Sequence, residues 1–239
     1  KYERQGHLDT VISEHSIQDI ATIRKSLPNA ELLVRINPLN SNTHNELEDV
    51  ISQGADIIML PMFLSKSEID FVGEMINNRV KFIPLIETKS AAENLDSYVN
   101  SPYVSEFYIG LNDLHRELGL KFMFELLSSG YVETLVNKIK GANKPFGFGG
   151  IATIGDGTLP ARLILAEHVR LGSSSVILSR SFHQRSQSLG ELKSKIDLEL
   201  EIKKVYRELQ LLNSRTSKEV QDDNVSLVKV VNEIVESLK

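Results

Sequence analysis

The chain has 239 residues, of which 41% are hydrophobic and 25% charged, and a formal net charge of −5. A chain of this length and composition can bury a sizeable core, which argues against an intrinsically disordered protein. It contains no Cys, so disulfides, thiolate nucleophiles and zinc–thiolate sites are excluded, and any bound metal must be held by oxygen or imidazole.

The distribution of charge and hydrophobicity argues against two kinds of partner. The sequence has no Lys/Arg cluster of the kind that binds nucleic acid or an anionic membrane. Its longest apolar run, residues 55–63, is interrupted by Asp56 and Pro61 and is too short to span a bilayer. The first ten residues are polar and charged, which is not typical of a signal peptide, so we expect a cytoplasmic protein.

Short runs rich in β-branched residues alternate with longer segments of helical period, which is typical of repeated βα units. A first helix is predicted for residues 17–26, after a cap at Ser16 and before Pro28. Six strands are predicted, without polar alternation, as expected for a parallel sheet covered on both faces, at residues 32–36, 56–61, 81–86, 106–110, 145–149 and 174–178. Five further helices are predicted at residues 43–53, 66–77, 89–98, 122–140 and 160–171.

The number of strands indicates the fold class. A (βα)₈ TIM barrel needs eight strands in roughly 250 residues, and the sequence up to Phe182 supplies six. We therefore predict an α/β TIM barrel that lacks its first one or two strands in this chain, and we expect those strands to lie upstream of Lys1. An open doubly wound sheet is the alternative, but the Gly-rich first turn of that fold is missing.

After Phe182 the pattern changes to two amphipathic helices. The first covers residues 189–212, a polar loop is predicted for 213–223, and the second places Leu227, Val231, Ile234 and Leu238 on one face. Neither helix can bury its apolar stripe alone, so we expect packing on the outside of the barrel or on a partner subunit, and a homo-oligomer. The predicted domains are therefore a barrel, residues 1–186, and a C-terminal helical extension, residues 187–239.

Charged residues end three of the predicted strands. Arg35, Glu87 and Asp113 each stand in an apolar context at the carboxyl end of a strand, where parallel barrels place their catalytic groups. Taken singly, each has an ordinary structural explanation, such as a salt bridge or a favourable charge in the first turn of a helix. Two carboxylates and a guanidinium facing one barrel mouth are harder to explain by packing, because unpaired charges there are costly.

At these residues the sequence resembles the HpcH/HpaI aldolase and citrate lyase family of metal-dependent barrels. The resemblance covers residues 32–182 and is carried, in order, by the segments V-R-I-N-P, D-I-I-M-L-P-M, L-I-E-T and I-G-L-N-D-L. It implies that Glu87 and Asp113 bind a divalent cation and that Arg35 contacts the enolate oxygen of the substrate. It also implies that the backbone amides of Gly110, Leu111 and Asn112 hold a substrate carboxylate.

The chemistry of this residue set agrees with the resemblance. Two carboxylates, water and a bidentate 2-oxo acid form an oxygen-rich octahedral site that suits Mg²⁺ or Mn²⁺. The cation and Arg35 would together stabilise an enolate formed by C–C cleavage. We therefore expect a class II carbon–carbon lyase that cleaves or forms a 4-hydroxy-2-oxo acid through a pyruvate enolate.

The general acid/base is not evident in the sequence. The family places a His after an early strand, and no such strand and His are visible here. His7, His15 and Arg4 are possible substitutes, although a solvated loop position or a cap contact beside Ser16 explains each of them better. His115 directly follows the G-L-N-D-L turn.

Two other functions remain open. The G-L-N-D-L turn also resembles phosphoenolpyruvate-using phosphotransfer barrels, but these would need a catalytic Cys. The second alternative is a non-catalytic barrel that serves as a binding or assembly module. A further ambiguity concerns the segments Gly147 to Gly150 and Ser179-Arg180. Together they form a subsite for a phosphorylated or acidic aldehyde. Alternatively, the glycines allow close backbone approach and Arg180 is a surface residue.

Overall fold

The apolar runs of the sequence form a six-stranded, all-parallel sheet. The computed structural model describes residues 15–238, and the strands are β1 (Leu33–Arg35), β2 (Ile57–Leu60), β3 (Lys81–Ile86), β4 (Phe107–Ile109), β5 (Phe146–Ile151) and β6 (Ser175–Leu178). Each strand pairs with its neighbours in chain order. The predicted α/β class and the six parallel strands are confirmed, and the sheet is a half-barrel. The full count of eight strands stays a prediction.

Helices connect the strands and continue after the last one. In the described part of the chain they are α1 (Ile17–Ser26), α2 (Thr43–Ser52), α3 (Lys66–Ile76), α4 (Lys89–Glu93), α5 (Leu95–Tyr98), α6 (Leu111–Glu117), α7 (Glu125–Ser128), α8 (Tyr131–Gly141), α9 (Ala161–Leu171), α10 (Leu189–Lys195), α11 (Leu198–Asn213) and α12 (Ser217–Ser237). A short 3₁₀ turn, Arg180–Phe182, follows β6. Within residues 15–238 no helix is long and apolar enough to cross a membrane.

Three predicted helices are interrupted in the structure. The segment 189–212 forms α10 and α11, which are separated where Asp197 caps α11 by accepting from the Leu200 N–H at 3.0 Å. The segment 89–98 forms α4 and α5, which meet at Asn94, where the side-chain amide donates to Ser90 O at 2.9 Å. Such a side chain competes with the backbone for its hydrogen bonds. The segment 122–140 begins only at α7 and is broken before α8 by Gly130, which has a φ of 75°.

The predicted loop at residues 213–223 is wrong. Helix α12 already begins at Ser217, where Thr216 and Glu219 form a capping box. The Thr216 hydroxyl accepts from the Glu219 N–H at 3.3 Å, and the Glu219 carboxylate accepts from the Thr216 N–H at 2.7 Å. This reciprocal pair satisfies free amide groups at the helix start and so stabilises a helix in a polar segment.

The main core lies between the helices and one face of the sheet, here called the outer face. The outer-face side chains are at most 2% exposed, and they are Ile58, Leu60, Phe82, Ile86, Phe107, Ile109, Phe146 and Phe148. The opposite, inner face carries a separate small cluster of Met59, Ile83, Leu85 and Tyr108. At the two edges of the inner face, Leu33 is 41% exposed and Ile177 50%.

The C-terminal helices pack against the outer helical layer of the same chain. Helix α9 contacts both α11 and α12, and α7 also contacts α12. Val205 and Leu212 of α11 and Leu227 and Val231 of α12 are buried in the main core, as predicted for their apolar stripes, whereas Leu189 and Leu238 are exposed. The division into domains at residue 186 and the homo-oligomer stay predictions.

Candidate functional site

Glu87 follows the last residue of β3 and is held in place from both sides. Its neighbour Thr88 caps α4: the hydroxyl accepts from the Ala91 N–H at 3.0 Å and donates to Phe63 O at 2.8 Å. Glu87 itself is only 4% exposed. Its Oε1 accepts a hydrogen bond from the Met62 N–H at 3.2 Å, so the end of β2 orients the carboxylate.

Met62 adopts an unusual backbone conformation to make this contact. Its φ is 54°, in the left-handed region that residues other than glycine rarely occupy. Such a conformation persists only where the surrounding structure enforces it, and it is often found at functional sites. At the carboxyl end of β2 it turns the Met62 N–H toward Glu87.

Gly110 brings the next strand end directly against Glu87. Its N–H donates to Ile86 O at 2.9 Å, which continues the ladder between β3 and β4. A Cβ at this position would lie 2.8 Å from Glu87 Cβ and 3.0 Å from Glu87 Oε2. Only glycine therefore allows this close approach.

Asp113 lies in the first turn of α6, the helix for which Gly110 is the N-cap. A carboxylate is favourable here because the free amide groups of a helix start carry partial positive charge. In the same turn Leu111 is buried, Asn112 is exposed and Asp113 is half-buried. The structure thus brings Glu87 and the G-L-N-D-L segment together at one edge of the sheet.

Arg35 ends β1 at the same edge of the sheet, and its side chain is exposed. It is in register with Met59 of β2, so it belongs to the inner face. It forms no hydrogen bond or ion pair with any residue from 15 to 238. The structure therefore places Arg35 at the carboxyl edge of the sheet, on its inner face.

The candidate general acid/base residues have different surroundings. His15 is exposed and lies 3.4 Å from the Asp19 carboxylate. His115 is buried on α6, where Nδ1 lies 3.1 Å from Leu111 O, so it packs against its own helix. Arg4 and His7 lie outside the described residues, and the assignment of the base stays open.

The Gly147–Gly150 segment is a place of close packing. A Cβ at Gly147 would lie 2.5 Å from Tyr108 Cε2, and one at Gly149 would lie 2.8 Å from Leu111 Cδ1. Tyr108 contributes to the packing of this segment, and the sequence interpretation did not identify it. The signal available in the sequence was a tyrosine in one apolar strand beside a glycine-rich strand. A large ring needs a neighbouring residue without a side chain.

The hydroxyl groups that follow β6 are engaged within the protein. Ser179 Oγ accepts from the Ser181 N–H at 3.3 Å, and Ser181 Oγ accepts from the Thr153 N–H at 2.9 Å. Arg180 is exposed. A subsite for an acidic aldehyde at Ser179-Arg180 stays a prediction.

The donor set at this edge suits a hard divalent cation. Mg²⁺ is commonly bound through one or two carboxylates, with water and substrate oxygens completing the octahedron. Glu87 is a buried carboxylate with one oxygen oriented by a backbone amide, and Asp113 stands on the adjoining helix. These two carboxylates are the candidate ligands at this edge. In the described residues no cluster of three His, Cys, Asp or Glu side chains that could hold a metal is present.

These features define a parallel half-barrel whose polar groups converge at the carboxyl ends of its strands. The chain belongs to the HpcH/HpaI aldolase/citrate lyase family, whose model matches residues 12–154. The match includes β1 to β5, and therefore Arg35, Glu87 and Asp113. The resemblance inferred from the sequence motifs is thus confirmed.

Solved structures show the same fold at low sequence identity. The citrate synthase SbnG has a TM-score of 0.58 and 15% identity, with 83% of each chain covered. The HpcH/HpaI aldolase from Desulfitobacterium hafniense has a TM-score of 0.52 and 16% identity, covering 86% of this chain and 82% of the other. The protein CitE from Mycobacterium tuberculosis, solved with magnesium and pyruvate, has a TM-score of 0.54 and 12% identity over 86% and 80%. Comparison with curated protein sequences gave no match.

Proposed function

We propose that the protein is a divalent-metal-dependent carbon–carbon lyase that cleaves or forms a 4-hydroxy-2-oxo acid through a pyruvate enolate. The observation that carries this proposal is the buried Glu87 carboxylate, packed against Gly110 and oriented by the Met62 N–H, beside the helix that bears Asp113. Membership of an aldolase/citrate lyase family supports it. The magnesium and pyruvate in the solved CitE protein support the choice of cation and of a 2-oxo acid.

Glu87 and Asp113 are the proposed ligands of Mg²⁺ or Mn²⁺. When bound, the cation supplies a Lewis acid that polarises the keto group of the substrate. The two carboxylates would hold it at the mouth of the half-barrel. Burial of Glu87 favours this role, because a carboxylate removed from water interacts strongly with a cation.

Arg35 and the start of α6 are proposed to bind the organic substrate. In the cleavage direction the C3–C4 bond breaks, its electron pair remains on C3 as the enolate of pyruvate, and the proton of the C4 hydroxyl leaves to a base as the aldehyde forms. Arg35 would stabilise the negative enolate oxygen. The amide groups of Leu111 and Asn112 would bind the pyruvate carboxylate. The Gly110 N–H, which the sequence also assigned to this role, already donates to Ile86 O at 2.9 Å.

Exchange of the pyruvate methyl protons tests this function directly. Full-length protein is incubated with pyruvate in D₂O with and without Mn²⁺, and the methyl signal is followed by NMR. We expect exchange that depends on the cation and that falls by at least about 100-fold in Glu87→Gln. A protein that neither exchanges pyruvate nor binds a divalent cation would instead support a non-catalytic module.

Two further variants separate the roles of the site residues. Arg35→Ala should lower the exchange rate about 100-fold while leaving Mn²⁺ affinity unchanged, since Arg35 is assigned to the enolate and not to the cation. Glu68→Gln is the matched control for Glu87, because its carboxylate also accepts a backbone N–H, that of Leu64, at 2.6 Å. It should retain both exchange and Mn²⁺ binding.

A further inference from the structure

At the junction of β4, β5 and β6, a tyrosine hydroxyl takes the place of a hydrogen bond between backbone groups. Gly147 pairs with Ser175 and Gly150 with Ile177, so β5 carries one extra residue between these pairs and bulges. The Tyr108 hydroxyl fills the gap: it donates to Gly149 O at 2.8 Å and accepts from the Ile177 N–H at 2.8 Å. Two partly buried backbone groups at the bulge thereby have a hydrogen-bond partner.

The bulge in turn forms the surface on which α6 begins. Gly149 has a φ of 54° and no side chain, and Leu111 Cδ1 lies where a Cβ would clash. Leu111 is buried and is the first residue of α6. The position of that first turn is therefore set on one side by the contact of Gly110 with Glu87 and on the other by the contact of Leu111 with Gly149.

We infer that Tyr108 is a positioning residue whose hydroxyl holds the Gly149 bulge in shape and thereby holds the first turn of α6, with Asp113, at its place beside Glu87. Tyr108 would touch neither the cation nor the substrate. Its role in metal binding rests on the proposed function, whereas its role in fixing the helix start rests on the contacts alone.

Removal of one oxygen atom isolates this role. In Tyr108→Phe the ring remains over Gly147, while Gly149 O and the Ile177 N–H each lose the hydroxyl. Burial raises the pKa of the Tyr108 phenol above its usual range, so the hydroxyl keeps the proton that it donates to Gly149 O. Phe148 O, which lies 3.3 Å from the same hydroxyl, loses it as well.

The chain offers a matched control in Tyr98. This tyrosine is also buried, and its hydroxyl donates to a backbone carbonyl, Ala91 O, at 2.6 Å. It belongs to α5 in the main core and not to the inner face. Tyr98→Phe therefore reproduces the loss of a buried hydrogen bond without touching the β5 bulge.

Two measurements on the full-length protein test the inference. Tyr108→Phe should weaken Mn²⁺ binding, measured by titration calorimetry, by at least about tenfold, whereas Tyr98→Phe should change it by less than about twofold. Hydrogen exchange of the amides at 110–114, measured by mass spectrometry without metal, should be faster in Tyr108→Phe alone. A higher Mn²⁺ concentration should restore the pyruvate exchange rate of Tyr108→Phe.

The outcomes distinguish this inference from the proposed function. If Tyr108→Phe matches Tyr98→Phe in Mn²⁺ affinity and in exchange of residues 110–114, Tyr108 is only a structural residue and the inference is overturned. If the wild-type protein binds no Mn²⁺, the proposed function fails. Amide exchange at 110–114 then decides alone whether Tyr108 fixes the start of α6.

Discussion

The two faces of the sheet differ in what they are built to do. The outer face buries large apolar side chains against the helices almost completely, whereas the inner face has a small buried cluster and exposed apolar residues at both edges. Burial of apolar area is the main source of stability. The comparison therefore indicates that the outer face and its helices supply the stability, and that the inner face and its carboxyl edge are available for binding.

The charged residues of the two regions differ in the same way. In the outer helical layer, two groups of oppositely charged side chains join α8, α9, α11 and α12. The first is Arg162, Glu208, Asp223 and Arg215, and the second is Glu133, Arg170 and Glu167 with Asn224. At the carboxyl edge, Glu87 is oriented by a backbone amide and Arg35 is exposed. Charges that link neighbouring helices point to a structural role, and charges at the carboxyl ends of the strands of a parallel sheet point to chemistry.

The largest expected effect concerns Arg215. Its side chain is only 6% exposed, and its guanidinium donates to Asp223 Oδ2 at 2.7 Å, Leu212 O at 2.9 Å and Ala166 O at 3.1 Å. Arg215→Ala should lower the free energy of unfolding in urea by about 3 kcal/mol, because it leaves these buried acceptors without a donor. Mn²⁺ affinity of the folded protein should not change.

Arg207 provides the control for this substitution. It lies on α11, the helix that precedes Arg215, is exposed, and has no polar partner within the described range 15–238. Arg207→Ala should therefore cost less than about 0.5 kcal/mol. If Arg215→Ala weakened Mn²⁺ binding as strongly as it lowers stability, the two regions would be coupled and the separation of roles would be wrong.

A smaller effect is expected from pH. His168 is 4% exposed on α9, its ring stacks on Phe148 with centroids 3.8 Å apart, and Nδ1 lies 2.9 Å from Ser173 Oγ. Burial lowers the pKa of His168 to about 3. Below the ordinary pKa of 6.5, His168 binds a proton in the unfolded chain but not in the folded chain. The contribution of His168 to stability is therefore complete above pH 6.5 and is lost as the pH falls toward 3.

Between pH 7 and pH 5 the wild-type protein should therefore lose about 2 kcal/mol of unfolding free energy from this one group. Urea unfolding at the two pH values measures the loss. His168→Phe keeps the stacking on Phe148 and removes the titrating group, so its stability should change much less over this interval. An equal loss in the variant would assign the pH dependence to other residues.

The strands could be predicted because parallel strands covered on both faces are continuous apolar runs. All six lie within the predicted segments or extend beyond them by at most a few residues, as β5 does. The sequence interpretation missed the breaks at Asn94, Gly130 and Asp197 and the early start of α12. They depend on single side chains, such as the Thr216–Glu219 capping box, that a search for apolar periodicity does not register.

The site could be predicted only in part. The motifs placed Glu87 and Asp113 at adjoining strand ends, because the carboxyl ends of parallel strands share one edge of the sheet. The contact of Leu111 with Gly149 and the hydroxyl bridge of Tyr108 could not be predicted. Both depend on the bulge in β5, whose register shift is a property of the assembled sheet and not of any one segment.

The smallest expected effect concerns the exposed edge of the inner face. Ile177 of β6 is half-exposed, so Ile177→Ala should cost only about 0.5 kcal/mol, whereas Ile58→Ala, at a fully buried outer-face position, should cost about 3 kcal/mol. Urea unfolding of the full-length variants measures both. A loss above about 2 kcal/mol for Ile177→Ala would mean that this edge is covered in solution. A melting temperature that rises with protein concentration would then identify the cover as a second copy of the chain.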